Sequence, residues 1–298
     1  MGDLAIIIVT YNSGESIGRL LRSIAPAYPG GSPRVIVVDN ASTDDTLARV
    51  AEHPRVEVIR SRNEGYSAGI NRGVEHSPRA DAHLILNPDL ELTPGAIAAM
   101  LAEFDAPNVG IVAPLVLGPQ GDIEHSQRRE PTLLRAAGLG FTGLPVFSEY
   151  VQEPEAYTHA VTVDWALGAA LLVRRDCSLN VGGWDESYFL YSEETDYCAR
   201  ARAAGWSILF TPAAQVVHAG GGSGRNDRTH VMQIVNRVRY YARAHSRPAS
   251  AAYWALTILS EATWVVRGHS QSKASIGALM KPGSRPEELG CGEHLIPR

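Results

Sequence analysis

Four stretches of this 298-residue chain carry residue types that could do chemistry. The first is Asn87-Pro88-Asp89, directly after the apolar run HLIL. A carboxylate fixed by a rigid proline at the end of a buried strand is a good hard-cation ligand. Mg²⁺ takes one or two protein carboxylates and completes its shell with phosphate and water. A simple turn acid would read the same way. The second is Tyr191 to Cys198, YSEETDYC. Helical spacing places Glu194, Cys198 and Ala201 on an apolar face and Glu193, Asp196 and Arg200 on a charged one. Glu194 is therefore the acid expected to point inward. Burial raises a carboxyl pKa, which suits a general base. Acids at a helix start are also stabilised by the macrodipole alone. The third is His218, which ends a short apolar run and precedes Ala219 and three glycines; a metal ligand and a structural imidazole both fit it. The fourth is Asn63 to Asn71, NEGYSAGIN, a glycine-containing turn into a helix whose free N–H groups attract anions. It is neither a P-loop nor a dinucleotide-binding glycine motif.

The elements that must position these residues alternate. Apolar, β-branched runs at Leu4 to Val9, Arg34 to Val38, Val56 to Arg60 and His83 to Leu86 are separated by helical patterns at Ser16 to Ile24, Thr43 to Glu52 and Ala68 to His76. Continuous apolar strands separated by helices predict an α/β fold with a mostly parallel sheet covered on both faces. Ligands of such sheets sit beyond the carboxyl ends of the strands. Those ends read Thr10-Tyr11-Asn12, Asp39-Asn40, Ser61-Arg62-Asn63 and Asn87-Pro88-Asp89, all polar. A helix from Pro94 to about Phe104 and a strand from Val109 to Val116 follow.

The second half is less regular. Leu117 to Asp122 predicts a turn, residues 126–160 a loop-rich stretch, and Val161 to Asp164 and Ala169 to Val173 strands. Ser192 to Ala204 predicts a helix closed by Gly205. Ser207 to Phe210 and Gln215 to Val217 read as two short strands. From Arg225 to Arg247 six arginines and one acid, Asp227, fall on a helical pattern. With the apolar stretch Tyr253 to Val266 this predicts either a surface that docks on anionic lipid or a solvated basic helix beside a dimer-packing one. Beyond Ser270 the pattern weakens and predicts a mobile tail.

Composition narrows the class. A net charge of −5 and a pI near 6.1 argue against a nucleic-acid partner. Three cysteines without a CxxC indicate a reducing compartment. The first apolar run is too short for a signal-peptide core, and Ala251 to Val266, interrupted by Glu261, is shorter than the roughly 20 residues of a membrane span. The expectation is a cytoplasmic protein, peripheral on the inner face of the plasma membrane if the basic segment docks there.

Taken in order, Thr10-Tyr11-Asn12, Val38 to Asp44 (VDNASTD), Asn63-Glu64-Gly65-Tyr66, Asn87-Pro88-Asp89, Gly168 to Arg175 (GAALLVRR), Gly182 to Glu186 (GGWDE), Tyr191-Ser192-Glu193-Glu194 and His218 resemble the family 2 glycosyltransferases of the GT-A fold, over roughly Leu4 to Gly224. Within that family the sequence looks most like the bacterial rhamnosyltransferases of cell-wall and polysaccharide assembly. The resemblance implies a GT-A, Rossmann-like catalytic domain over residues 1–224 and a helical extension and polar tail over residues 225–298. Thr10, Tyr11, Asn12, Asp39, Asn40, Arg62, Asn63, Gly65, Tyr66 and Asn71, with Asn87 and Pro88, would hold a dTDP- or UDP-sugar donor. Asp89 and His218 would bind Mg²⁺ or Mn²⁺ on the diphosphate. Trp165, Gly168, Trp184 and Asp185 would shape the sugar and acceptor pocket, for a glycan, lipid-linked or small-molecule acceptor. Glu194 would be the base of an inverting transfer, with Glu193 beside it.

Two positions depart from the family pattern. Asn87 stands where the metal-binding motif has its first acid, which weakens the ligand set. Glu193-Glu194 replaces the usual Glu-Asp pair, which moves the second carboxylate by about one bond length; misplacements of about 1 Å can cost on the order of a hundredfold in rate. Two competing readings remain. A sugar-phosphate nucleotidyltransferase would need a Lys- or Arg-bearing glycine loop after the first strand, and Thr10 to Ser16 has neither. A scaffold that keeps the fold without the reaction is favoured by Asn87 and Glu194.

Overall fold

The computed structural model describes residues 3–218, 226–291 and 295–296. The first strands are β1 (Leu4–Thr10), β2 (Arg34–Asn40), β3 (Val56–Ser61), β4 (Ala82–Leu86) and β5 (Leu90–Leu92). They are followed by β6 (Val109–Leu117), β7 (Gln127–Arg128), β8 (Val161–Val163), β9 (Trp165–Ala166), β10 (Ala170–Arg174) and β11 (Ser207–His218). Among the described residues they form a nine-stranded sheet in the order β3-β2-β1-β4-β10-β6-β11-β5, with β8 on β11, and a small ribbon of β7 and β9. The pairs β1–β2, β2–β3, β1–β4 and β6–β11 are parallel, while β10 runs against both neighbours.

The helices follow from apolar spacing. In α1 (Gly14–Ala27), Ile17, Leu20, Leu21 and Ile24 are buried at i, i+3, i+4 and i+7, one stripe against the sheet. With α2 (Thr46–Ala51) between, α3 (Tyr66–Glu75) packs on β1 from the other face. There Ile70 meets Val9 and Ile85, whereas Ile17 and Leu20 meet Ile6 and Ile8 on the α1 face. Alternate residues of each central strand thus feed opposite cores, as a pleated strand requires. Next come α4 (Ala96–Ala102), the single turn α5 (Leu133–Ala136), α6 (Arg175–Val181) and α7 (Glu193–Ala203).

Three expectations change. The two short strands expected in residues 207–217 are one strand, β11. Its pairing with β6 shifts register between Thr211 and Gln215, so the chain bulges and carries on instead of ending. The expected mobile tail contains α10 (Ser270–Met280), whose Ser272, Ser275, Ala278 and Leu279 are buried against α8 (Asp227–Ala244) and α9 (Arg247–Val266). Third, α8 is not a solvated basic helix. Arg228 pairs with Glu288, Arg237 with Glu149, Arg243 with Asp185, and Arg239 donates to the Ser187 carbonyl at 2.9 Å. Four of the six arginines thus fasten α8 to the rest of the chain.

The three C-terminal helices build their own core around Val235, Val238, Tyr241 and Tyr253. Tyr253 is fully buried, stacked on Tyr241 at 4.0 Å, and its hydroxyl accepts from Arg237 Nε at 2.8 Å. Tyr253→Ala is expected to cost about 3–5 kcal/mol in a urea titration, as large aromatic truncations in cores do. A loss below about 1 kcal/mol would mean that this core does not support the fold.

Candidate active site

The carboxyl ends of β1, β2 and β4 lie side by side, because Thr10 pairs with Asp39 and Ile8 with Leu86 in parallel register. The buried Thr10 hydroxyl donates to Asp39 Oδ1 at 3.0 Å, and Asp39 Oδ2 accepts the Ser42 N–H at 3.1 Å. Asn12 closes the same loop by accepting the Thr43 N–H at 2.8 Å. Asn40 is buried, donates its amide to the Gly65 carbonyl at 3.0 Å, and leaves Oδ1 unpartnered. Thr10, Asp39 and Asn12 therefore build the loop at this edge. The exposed Tyr11 ring, the exposed Arg62 and Asn63, and Asn40 Oδ1 are what it offers to a ligand.

Next to this edge Tyr66 starts α3. Its hydroxyl donates to Asn87 Oδ1 at 2.8 Å. Burial raises the Tyr66 pKa, and the charges of Glu193, Glu194 and Asp89 raise it further. One phenol thus stands among the residues that follow β4 and those that begin α7. Burial also raises the carboxyl pKa values of Glu193 and Glu194, and each keeps one buried, unpartnered oxygen, Oε2. Glu194 lies along Gly168, where a Cβ would come within 3.3 Å of the Glu194 Cβ. The peptide of Gly168 and the guanidinium of Arg128 hold the Glu194 pKa down against burial. The spacing expectation is half right. Glu194 does turn inward, but Glu193, expected on a charged face, is 5% exposed. Among the described residues no cation pairs with Glu193, and the Glu194 charge beside it adds to the upward shift that burial causes.

His218 and Asp89 also meet. His218 Nε2 lies 3.3 Å from Asp89 Oδ2, and Nδ1 lies 3.0 Å from Glu124 Oε2. Burial opposes the charged imidazole, but the hydrogen bonds to Asp89 and Glu124 outweigh it and push the pKa up to about 9. The site favours a positive charge between Nε2 and Asp89, where a divalent ion would replace the proton. Glu124 would then fix the ring through Nδ1, the usual support of a metal-binding histidine. Among the described residues no three His, Cys, Asp or Glu side chains form a ready-made cluster. Asp89 and His218 fit Mg²⁺ or Mn²⁺ only as a pair whose shell a diphosphate and water complete. The glycine run after His218, with Ala219 to Ser223, lies outside the described residues.

The turn that leads into α7 is strained. Phe189, Tyr191 and Ser192 have φ of 51°, 69° and 73°, a region disfavoured for residues with a Cβ. Asn236 of α8, fully buried, donates its amide to the carbonyls of Tyr188, Leu190 and Tyr191 at 2.6, 2.9 and 3.1 Å. The remaining carbonyl, of Phe189, accepts the Tyr66 N–H at 2.7 Å. Gly65, at φ 101°, must be glycine there, because a Cβ would lie 2.6 Å from that same oxygen.

Three expected ligand-binding residues serve this scaffold instead. Asn71 accepts the Trp184 N–H at 2.8 Å and donates to the Trp184 carbonyl at 2.9 Å and to Glu186 at 2.8 Å, which uses both its donors. Trp184 is buried and stacked on Tyr197 at 4.2 Å. Asp185 caps a short turn and pairs with Arg243. Trp165 donates from Nε1 to the Arg129 carbonyl at 3.0 Å and stays partly exposed near Gly168. Pro88 is half-buried between Asn87 and Asp89. Glu124, Arg128 and Asn236 belong to the site but went unnoticed in the sequence. Glu124 and Arg128 follow a turn with no periodic signal, and Asn236 sits inside a helix among arginines.

Comparison with known proteins agrees with this geometry. The family model described as glycosyl transferase family 2 matches residues 5–160. The N-acetylglucosaminyl-diphospho-decaprenol L-rhamnosyltransferase of Mycobacterium tuberculosis is 34% identical over 247 residues, 76% of this chain and 80% of that protein. Of solved structures, GalNAc-T7 with UDP, GalNAc and Mn²⁺ superposes with a TM-score of 0.62 at 17% identity, over 80% of this chain and 47% of that one. The mannosyltransferase PcManGT from Pyrobaculum calidifontis, with GDP-Man and Mn²⁺, gives 0.58 at 17% identity, over 94% and 77%. Both likenesses are of fold, and the fold is GT-A.

The buried carboxyls make a stability prediction. A carboxyl whose pKa rises on folding favours the protonated folded chain, so stability is highest below the ordinary glutamate range and falls as pH rises through the raised range. Glu193→Gln should remove part of that fall. In thermal scans without metal or nucleotide, its Tm advantage over the native chain should grow from about pH 5 to about pH 8. A difference that stays constant with pH would show that Glu193 carries no raised pKa.

Proposed function

The chain belongs to glycosyl transferase family 2, and on that premise we propose that it is an inverting enzyme that moves a sugar, rhamnose first among candidates, from a dTDP- or UDP-sugar to an acceptor hydroxyl. That it is a glycosyltransferase follows from the family; donor, acceptor and chemistry are the proposal. The observation that carries it is the convergence on Tyr66 of two unlike sites, the Asp89–His218 pair and the buried Glu194.

In this reading the nucleotide lies along the edge formed by Tyr11, Asn40 and Arg62, and the diphosphate reaches Asp89 and His218. A bound Mg²⁺ or Mn²⁺ would neutralise the charge that develops on the departing diphosphate. Glu194, whose carboxyl pKa burial raises, takes in its ionised form the proton of the acceptor hydroxyl through a carboxylate oxygen as that hydroxyl attacks the anomeric carbon. Gly168 leaves room for the longer Glu194 side chain to lie flat, which offsets the extra methylene relative to the family's aspartate. One displacement from the face opposite the leaving group inverts the anomeric centre. Tyr66 fixes Asn87 by a hydrogen bond, so Asn87 serves as a spacer and leaves Asp89 as the charged ligand.

A lipid-linked acceptor is the class we favour. The relative from M. tuberculosis is named for one, and this chain exposes apolar side chains where such a substrate would arrive. Phe141, Leu144 and Val146, 70%, 54% and 45% exposed, precede Tyr150, and Trp264 and Val266 end α9. Arg267 stacks over both Phe141 and Trp264, an aromatic–cation pairing suited to a headgroup layer. No helix of the described residues is long and apolar enough to cross a membrane. The membrane contact we propose is at the surface, through these apolar residues and Arg267.

Two measurements test the proposal. Thermal shift against dTDP, UDP, GDP, CDP and ADP, with and without Mn²⁺, should give a metal-dependent rise with dTDP or UDP. Ligand at 100 times its Kd adds about 2.7 kcal/mol. Glu194→Gln should keep that rise and lose roughly 10²–10⁴-fold in turnover, the usual contribution of a general base. Full activity in Glu194→Gln would remove it as the base, and no shift with any nucleotide would leave the non-catalytic scaffold as the better reading. In flotation assays the native chain should rise with anionic vesicles and Phe141→Asp should not; equal behaviour of the two would discard this surface.

A further inference from the structure

Arg128 ends β7 beside the catalytic carboxylates and is only 9% exposed. Its neighbours in the same cluster are neutralised. Arg129 pairs with Glu153 at 2.7 Å, and Arg202 pairs with Glu130. Arg128 has no carboxylate partner among the described residues. Nη1 donates to the backbone carbonyls of His125 and Gln127. The guanidinium lies over the Tyr150 ring, 4.0 Å from its centroid, with Trp165 at 5.7 Å. Among the described residues Nε and Nη2 have no hydrogen-bond partner.

A buried cation without a counter-ion is costly. Stacking on aromatic faces recovers only part of that cost. What remains is a planar edge with free N–H groups, the geometry that binds phosphate or carboxylate oxygens in pairs. The charge also reaches Glu194, whose ionised form it favours. An anion held at this edge would therefore lie close to the base.

We propose that Arg128 is a phosphate-binding residue that takes a phosphate carried by the acceptor and so holds the acceptor hydroxyl against Glu194. This rests on the reading of Glu194 as the base. The donor's diphosphate is assigned to a different pair, Asp89 and His218. The surroundings of Arg128 lead outward instead. Tyr150, 46% exposed, stacks on it and also lines a pocket of about 160 Å³ with the Arg129–Glu153 ion pair and with Gly143, Pro145, Ser148 and Gln152. That pocket adjoins the exposed apolar residues Leu144 and Val146 in sequence. A diphosphate on Arg128 with an apolar chain leaving past Tyr150 matches this order of chemistry.

The test is calorimetric titration with farnesyl diphosphate, a short stand-in for a lipid diphosphate, on protein already saturated with the nucleotide diphosphate that binds it and with Mn²⁺. Arg128→Gln should weaken farnesyl diphosphate about 10- to 100-fold, the scale of a lost charge-assisted hydrogen-bond pair. Arg128→Lys, which keeps the charge and loses the fork, should recover only part of the affinity. Unchanged unfolding midpoints exclude a folding defect, and a folded Arg128→Lys keeps the test decisive if Arg128→Gln does not fold. Native protein that ignores farnesyl diphosphate, or Arg128→Gln that binds it as the native protein does, overturns the proposal. If Arg128→Gln instead weakens the nucleotide, the phosphate is the donor's and the acceptor assignment falls. If the native chain binds no nucleotide, the donor reading fails on its own, and the farnesyl diphosphate titration still decides the role of Arg128.

Discussion

The turn from Tyr188 to Ser192 is the constraint on which the rest of the site depends. It holds three residues with side chains in a left-handed conformation, each of which costs on the order of 1–3 kcal/mol unless the surroundings enforce it. The enforcement comes from two distant parts of the chain. Asn236 gathers three carbonyls from one side, and Tyr66, with glycine before it, receives the fourth from the other. A straight entry into α7 would need none of this. The strained entry lets the helix begin abruptly, with two glutamates in its first turn aimed into the cleft. The loop before α3, the start of α7 and α8 are thereby locked into one arrangement by hydrogen bonds to backbone carbonyls.

Electrostatics within that frame are asymmetric. Glu193 and Glu194 are buried next to each other, and among the described residues neither forms an ion pair, though the charge of Arg128 reaches Glu194. Across Tyr66, Asp89 has an imidazolium for a neighbour. The site therefore favours protonated carboxyls on one side and a replaceable proton on the other. In the proposed reading, a metal-bearing diphosphate and an acceptor hydroxyl are the species that would engage the two sides. Stability given up here is recovered in the sheet, whose central strands are buried on both faces, and in the stacked tyrosines of α8 and α9.

How much was legible in the sequence follows from what each feature rests on. The parallel sheet and its polar carboxyl edge could be read because continuous β-branched runs such as LAIIIV have few alternatives. Glu194 and Asp89 could be singled out because helical spacing and a strand-end proline constrain where a carboxylate points. Glu193 was misread because α7 has carboxylates on two faces and both are covered; one helix's periodicity cannot reveal a second covering layer. The C-terminal helices were underestimated for the same reason. The arginines of α8 look solvated until Glu149, Asp185 and Glu288, dispersed over half the chain, come to meet them. Asn71 and Trp184 read as ligand-facing residues, but the Asn71 amide is bonded to the Trp184 backbone and the Trp184 ring is stacked on Tyr197.

Asn236 is made 42 residues after Glu194. At synthesis rates of about 5–20 residues per second, that is a delay on the order of seconds. During it, a nascent chain already has the strands that form the nucleotide edge, while the turn ahead of α7 lacks the clamp that makes its conformation affordable. On the proposed reading, recognition of the donor is thus an early property of the growing polypeptide and transfer a late one. An incomplete chain could engage a nucleotide-sugar without spending it.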